Sequence, residues 1–325
     1  MNKIDSILAK DKEFIENSTI INFNPHFDFH LYNIDEIKTE NVLVYCGEER
    51  IYHEFLYDKL MEEFSKFNKK IKISQSSSTN LKNSVNPITN LAIWKAAKIP
   101  LGVEKTVDKI ETFPHNKILN LNEDRNIKSI LSIRRSDFVR DKIFTNIKSV
   151  DNQIVRYCNL QPDNLSNEII TNTFPSWYQL YSEYENSYLS FTIESVTNIP
   201  RNVEFLSNPL TEKTLISFLT GTIPIVYGSI GYVKELQNMG FYIANDEFGF
   251  DGVDELCHTD LLKIKKFTEC HKNITNLSLN ELKTFWNSKI DRIKNNRNII
   301  LKSFSTINFE DIKDGFSKAD FNSIL

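Results

Sequence analysis

Residues 188–241 alternate an apolar run, a loop, an amphipathic helical pattern, a second apolar run and a second helical pattern, which restricts this chain to a parallel α/β architecture. Residues 189–193 are β-branched and aromatic enough for a strand, and they deliver Glu194 and Ser195 at its C-terminal end. Open parallel sheets bind ligands at that edge, so both polar groups are expected to face a cleft. Thr211 is placed to cap a helix whose Leu215, Ile216, Phe218 and Leu219 form one buried face, and Gly221 ends it. Glu212 and Lys213 then lie in the first turn. A helix N-terminus offers unpaired N–H groups and about half a positive charge. Lys213 adds a full charge, so the pattern describes a place for an anion. Residues 223–227 read as the next strand, with Pro224 tolerated near its start. Gly228 and Gly231 form a turn, residues 232–239 repeat apolar side chains at helical spacing, Gly240 is placed as a cap, and residues 241–244 read as a further short strand.

A related pattern stands upstream. Residues 128–133 read as a strand, followed by Arg134, Arg135 and a helical stretch over 136–148, in which Val139, Ile143 and Ile147 make a buried stripe and Arg140 stands one position off it. Guanidinium forks hold phosphate oxygens in pairs and stay charged at any relevant pH, so Arg135 and Arg140 are candidates for a clamp on a nucleotide diphosphate. The plainer reading is solvated charges at a helix start, but cations oppose the helix dipole at this end, so three of them are mildly unexpected without a ligand.

The segments FTIES, LTEKT and FLTGTIPIVYGS resemble the donor-binding core of the alpha-1,3/1,4-fucosyltransferases, in which an apolar strand ends in FEN, TEK opens an amphipathic helix, and an apolar strand with Pro closes on Gly. Residues 232–241 with FGFDGVDE are also similar to glycosyltransferase-like proteins of phages and large DNA viruses. The resemblance implies a GT-B-like fold, two Rossmann-like α/β domains facing a cleft. It also implies that Arg140 touches the donor diphosphate, Glu212 the ribose and Lys213 a phosphate. The sequence departs from that pattern in two places: Ser195 stands where the family has Asn, and Asn208 and Pro209 stand where it has an aromatic residue.

With 325 residues and 40% hydrophobic side chains, the chain is long enough for two globular domains, and the boundary is expected near Leu121. That gives an acceptor-side domain over 1–121 and a nucleotide-sugar-binding domain over 122–325. The net charge of −4 supplies no field for nucleic acid. No apolar run approaches the ~20 residues of a membrane span, and the N-terminus lacks the apolar core of a signal peptide, so a cytoplasmic location is expected. The animal fucosyltransferases carry an N-terminal anchor, so a bacterial or viral setting follows. Four cysteines, Cys46, Cys158, Cys257 and Cys270, show no disulfide or zinc spacing and read as buried thiols.

Elsewhere, residues 41–45 and 71–74 read as parallel strands, and 53–67 as a helix with Leu56, Leu60 and Phe64 on one face. The Ser- and Asn-rich stretch 75–90 reads as a loop shaping an acceptor site. Ser278 and Glu281 form a capping box for one helix with the stripe Leu282, Trp286, Ile290 and Ile293. His26, Asp28 and His30 would align on one strand face, but any half-buried strand alternates in this way. Cys257/His258 and Cys270/His271 lack metal-ligand spacing, and no Asp-x-Asp is present, so no metal and no cofactor are expected beyond the donor.

The reaction expected is inverting fucosyl transfer from GDP-fucose to a glycan hydroxyl, with Arg140, Lys213 and the helix beginning at Thr211 stabilising the leaving diphosphate. Ser195 and Glu212 orient the nucleoside, and Glu194 contacts the sugar or braces the loop. The general base is sought among first-domain carboxylates, with Glu48 or Glu49 the candidate by position. The alternatives are transfer from another nucleotide sugar, or a catalytically silent scaffold that binds a glycan or a partner.

Overall fold

The computed structural model describes residues 3–22, 37–45, 61–62, 64–74, 85–86, 89, 121–133, 137–147, 151–157, 169–170, 177–194, 212–228, 231–250 and 261–306. The chain divides into two units. One comprises Met1–Glu111, Glu204–Leu210 and Leu301–Leu325, and the other Thr112–Val203 and Thr211–Ile300. Both are mixed α/β with parallel sheets.

In the first unit, helix α1 (Lys3–Glu16) leads into strand β1 (Ser18–Asn22), which pairs with β2 (Asn41–Tyr45), and β2 pairs with β3 (Lys70–Ser74). Both pairings are parallel, as the patterns at 41–45 and 71–74 predict, and Val42, Leu43, Val44 and Ile73 are fully buried. Asp11 on α1 is buried too, and its carboxylate is satisfied three times. It accepts from Lys72 Nζ at 2.6 Å, Asn86 N at 3.0 Å and Thr89 Oγ1 at 2.8 Å. Of the stretch 75–90 read as a loop, only Val85, Asn86 and Thr89 lie among the described residues. Val85 and Thr89 are buried, and Val85 N donates to Ile73 O. An interior carboxylate thus holds the described residues Asn86 and Thr89 in place.

The second unit is built on a five-stranded sheet of β4 (Ile127–Ile133), β5 (Gln153–Tyr157), β6 (Ile169–Ile170), β7 (Ser187–Ile193) and β8 (Ile223–Tyr227), in the order β6-β5-β4-β7-β8. Every pairing is parallel. The helices are α2 (Phe138–Asn146), α3 (Trp177–Glu185), α4 (Glu212–Thr220), α5 (Tyr232–Asn238), α6 (Leu261–Thr275), α7 (Leu279–Ser288) and α8 (Ile290–Thr306). Strand β7 is buried along its whole length, as a strand covered by helices on both faces must be. Leu131 and Phe191 pack with Ile143 and Phe144 of α2 and Phe267 of α6 on one face. Ile130 packs with Leu180 and Tyr184 of α3 and Ile216 of α4 on the other.

Two expectations fail here. Residues 241–244 run beside β8 but form no strand, because Asn296 takes their backbone groups. It accepts from Tyr242 N at 2.6 Å and donates to Tyr242 O at 2.8 Å, and Ala244 N reaches Pro224 O. The single helix expected from Ser278 onward is two helices that meet at Lys289, whose N–H donates to Trp286 O in a tighter turn. The capping box of Ser278 and Glu281 forms as read.

Beneath the sheet lies Arg125, 4% exposed, in the polar stretch that follows Leu121. Its guanidinium donates to the carbonyls of Asn122, Tyr184, Ser187 and Thr220 and to the Thr222 hydroxyl, and stacks 4.7 Å from the Trp286 ring. It thus ties the last turns of α3 and α4 to the first residue of β7. Burial lowers its pKa to about 10, which leaves it charged at neutral pH. Gly221 ends α4 at φ +72, where a Cβ would stand 2.5 Å from Leu121, and its carbonyl accepts from Trp286 Nε1 at 2.8 Å. Arg125→Met is expected to lower stability by about 3–5 kcal/mol in urea unfolding, since it strands several buried acceptors; Arg125→Lys should recover only part, because one ammonium cannot span them.

Candidate functional site

The order β6-β5-β4-β7-β8 contains a switch point. The chain leaves β4 toward β5 on one side and leaves β7 toward β8 on the other, so the connections diverge between two neighbouring strands. The helices that follow, α2 and α4, cover opposite faces. Their first turns therefore flank a crevice at the C-terminal edge, the place where open α/β sheets receive ligands.

Arg140 and Lys213 lie in those first turns, each 7% exposed. Arg140 is held by Asp137, the N-cap of α2, whose carboxylate accepts from Arg140 N at 2.9 Å and pairs with Arg140 Nη1 at 2.9 Å. Arg140 Nη2 reaches across the crevice to the Glu194 carbonyl at 3.2 Å. The charge opposing the helix dipole is thus neutralised from within, so the arginine needs no ligand to be tolerated there. Asp137 escaped the sequence reading; an Asp just ahead of an apolar stripe is a capping signal, but nothing local marks its pairing with the Arg140 guanidinium.

Glu194 is 2% exposed and does not open onto a cleft as its place after the strand suggests. Its N–H donates to Tyr227 O at 3.0 Å. Its carboxylate accepts from the Thr214 hydroxyl and, at 3.3 Å, from the Tyr232 hydroxyl. Burial, and then the Glu194 charge, hold the Tyr232 phenol well above its ordinary pKa, so it remains a donor. Tyr232 also closes against Gly228, where an added Cβ would meet its ring at 2.3 Å. Lys263 of α6, itself 1% exposed, donates to Gly228 O at 2.7 Å and lies 4.8 Å from the Tyr227 ring. Glu194 thus joins the ends of β7 and β8 through its N–H and the starts of α4 and α5 through its carboxylate. Tyr232, Thr214 and Lys263 escape sequence reading because nothing local marks a partner that distant in the chain.

One level below the edge, Ser132 Oγ and Thr192 Oγ1 are buried without a hydrogen-bond partner. The register that pairs Leu131 with Phe191 sets these residues side by side on the α4 face. Glu48, Arg134, Arg135, Ser195 and Thr211 lie outside the described residues, as do the side chain of Glu212, the trio His26, Asp28 and His30, and the Cys257/His258 pair. Among the described residues no group of three His, Cys, Asp or Glu side chains could hold a metal ion, and no helix is long and apolar enough to cross a membrane. Cys270 is a buried thiol.

No protein-family model matches this chain, and no curated protein does. Among solved structures, one described as "Crystal Structure of alpha1,3-Fucosyltransferase" is similar at 13% identity, with 92% of this chain and 89% of that chain covered and a TM-score of 0.38. A likeness of that size defines neither the fold in detail nor an activity.

Thr214→Val keeps the shape of α4 and removes one donor from a buried carboxylate. A loss of about 1–3 kcal/mol is expected in chemical denaturation; an unchanged midpoint would mean that Glu194 does not depend on that bond.

Proposed function

We propose that this chain is a glycosyltransferase that moves a sugar from a nucleotide diphosphate sugar to a glycan hydroxyl, with GDP-fucose as donor and inversion at the transferred carbon. The observation that carries the reading is the convergence of the first turns of α2 and α4, bearing Arg140 and Lys213, on Glu194 at the switch point. A diphosphate seated there would meet two cationic side chains and the N–H groups of α4 without needing a metal. Glu194 of FTIES and Thr214 of LTEKT, the segments that resemble the fucosyltransferases, are hydrogen-bonded at this point. In this reading the two units form a GT-B pair, with the acceptor held by the first.

The chemistry follows from charge. The acceptor oxygen attacks the anomeric carbon, a first-unit carboxylate takes its proton, and the carbon–oxygen bond to phosphate breaks with its electron pair going to the diphosphate. Lys213 and Arg140 offset the charge that grows on the leaving group, and donors fixed in place before the reaction do so without reorganising. Glu194 acts as a brace that sets the two turns at fixed spacing. Glu212, Ser195, Thr211 and Arg135 complete the donor site in this proposal, and Glu48 supplies the base.

One observation favours a second reading. The Arg140 guanidinium is already engaged by Asp137 and by Glu194 O, as it would be in a scaffold that binds a glycan or a partner without turnover. Binding separates the two. Lys213→Gln and Arg140→Gln should each weaken GDP affinity at least tenfold, measured by calorimetry on variants whose thermal unfolding shows them folded. Thermal stabilisation by GDP- and UDP-sugars identifies the donor, and unchanged GDP affinity in both variants removes the proposal. Glu48→Gln is expected to bind donor like the unaltered chain and to lose transfer; retained turnover would exclude it as the base.

A further inference from the structure

A groove of ≈ 580 Å³ runs along the seam between α2 and α6, on the face of the sheet opposite α4. Its α6 wall is the helical stripe Leu261, Ile264, Thr268, His271 and Thr275 with Lys265, Glu269 and Lys272 beside it, and Lys142 and Asn146 of α2 face it. Lys265 pairs with Glu269 at 3.8 Å. Lys142 and Lys272 have no ion pair among the described residues, so two unspent ammonium groups border one cavity. Lys128 donates to Thr275 O at 3.1 Å, offsetting the negative end of the α6 dipole.

His271 is the unusual member of this wall. It is 2% exposed and its ring lies 4.8 Å from Phe191, yet Nε2 has no hydrogen-bond partner. Burial lowers its pKa to about 4, so the ring is neutral at physiological pH and carries one N–H to give. Buried polar atoms in native proteins are nearly always matched, and an unmatched one in the wall of a cavity is a reason to look for a ligand. The Thr268 hydroxyl is spent on Ile264 O and Lys265 O and does not compete. Two free ammonium groups, an imidazole N–H and apolar walls from Leu261 and Ile264 match a small organic anion better than a cation or a neutral sugar.

We propose that the α2/α6 groove is a second binding site, separate from the sheet-edge crevice, for a molecule that presents an oxyanion, phosphate or carboxylate, to Lys142, Lys272 and His271. The test follows the His271 imidazole signals by NMR on the full chain, assigned with His271→Gln, while inorganic phosphate and then acetate are added. A saturable shift with either probe is expected, and the probe that binds tighter tells phosphate from carboxylate. The double variant Lys142→Gln/Lys272→Gln, altered only at the groove rim, should weaken that binding at least tenfold, whereas Lys213→Gln should leave it intact. Absence of any His271 shift with both probes overturns the proposal. So does a shift that survives in the double variant, and one that disappears in Lys213→Gln would place the anion at the sheet edge instead.

Discussion

Strand β7 is pinned at both ends by buried charge, and the second unit is organised around it. Below, Arg125 gathers the carbonyls of Tyr184, Ser187 and Thr220; above, Glu194 gathers hydroxyls from Thr214 and Tyr232. A central strand of a parallel sheet has no edge in water, so each polar group at its ends must find a protein partner or remain unmatched at a cost of about 1–3 kcal/mol. The lower pin takes carbonyls left over at the ends of α3 and α4, and the upper one takes hydroxyls from the first turns of α4 and α5. The lower pin fixes where helices end, and the upper one fixes where they begin.

The upper pin also spans the crevice at the switch point. Arg140 and Lys213 belong to helices on opposite faces, and only a shared neighbour sets their first turns at a constant spacing. Glu194 supplies its carbonyl to one side and its carboxylate to the other. Lys263 extends the same network by holding Gly228 O, which fixes the end of β8 from which Glu194 N–H takes its acceptor. A network of this kind stays rigid while every member is satisfied, and the proposed transfer would draw on that rigidity.

Much of the frame was readable in the chain. Residues 223–227 and 41–45 appear as strands with the bounds that their apolar runs suggest, because a buried parallel strand needs a continuous apolar run and turn residues flank it. Helix α4 ends where Gly221 predicts, and the Ser278 cap forms. Helix α6 carries an apolar stripe and still escapes assignment, because Lys263, Cys270 and His271 interrupt its charge pattern with residues that turn out to be buried. Residues 241–244 have strand composition but lose their ladder to Asn296, which lies 54 residues from Tyr242. Glu194 was legible as a strand-end acid but not as an interior one, since its donors come from 20 and 38 residues away.

The sequence by itself determined the parallel α/β class, the positions of the central strands and the presence of Arg140, Glu194 and Lys213 at strand-to-helix turns. Those are local properties of hydrophobic period and turn chemistry, and they act over a few residues. Only the tertiary structure decided that the turns flank one switch point, that Glu194 faces inward as a brace, and that Asp137 neutralises Arg140. Strand order and helix face are set by packing between distant segments, where the entropy of closing long loops must be outweighed by buried area and matched polar groups.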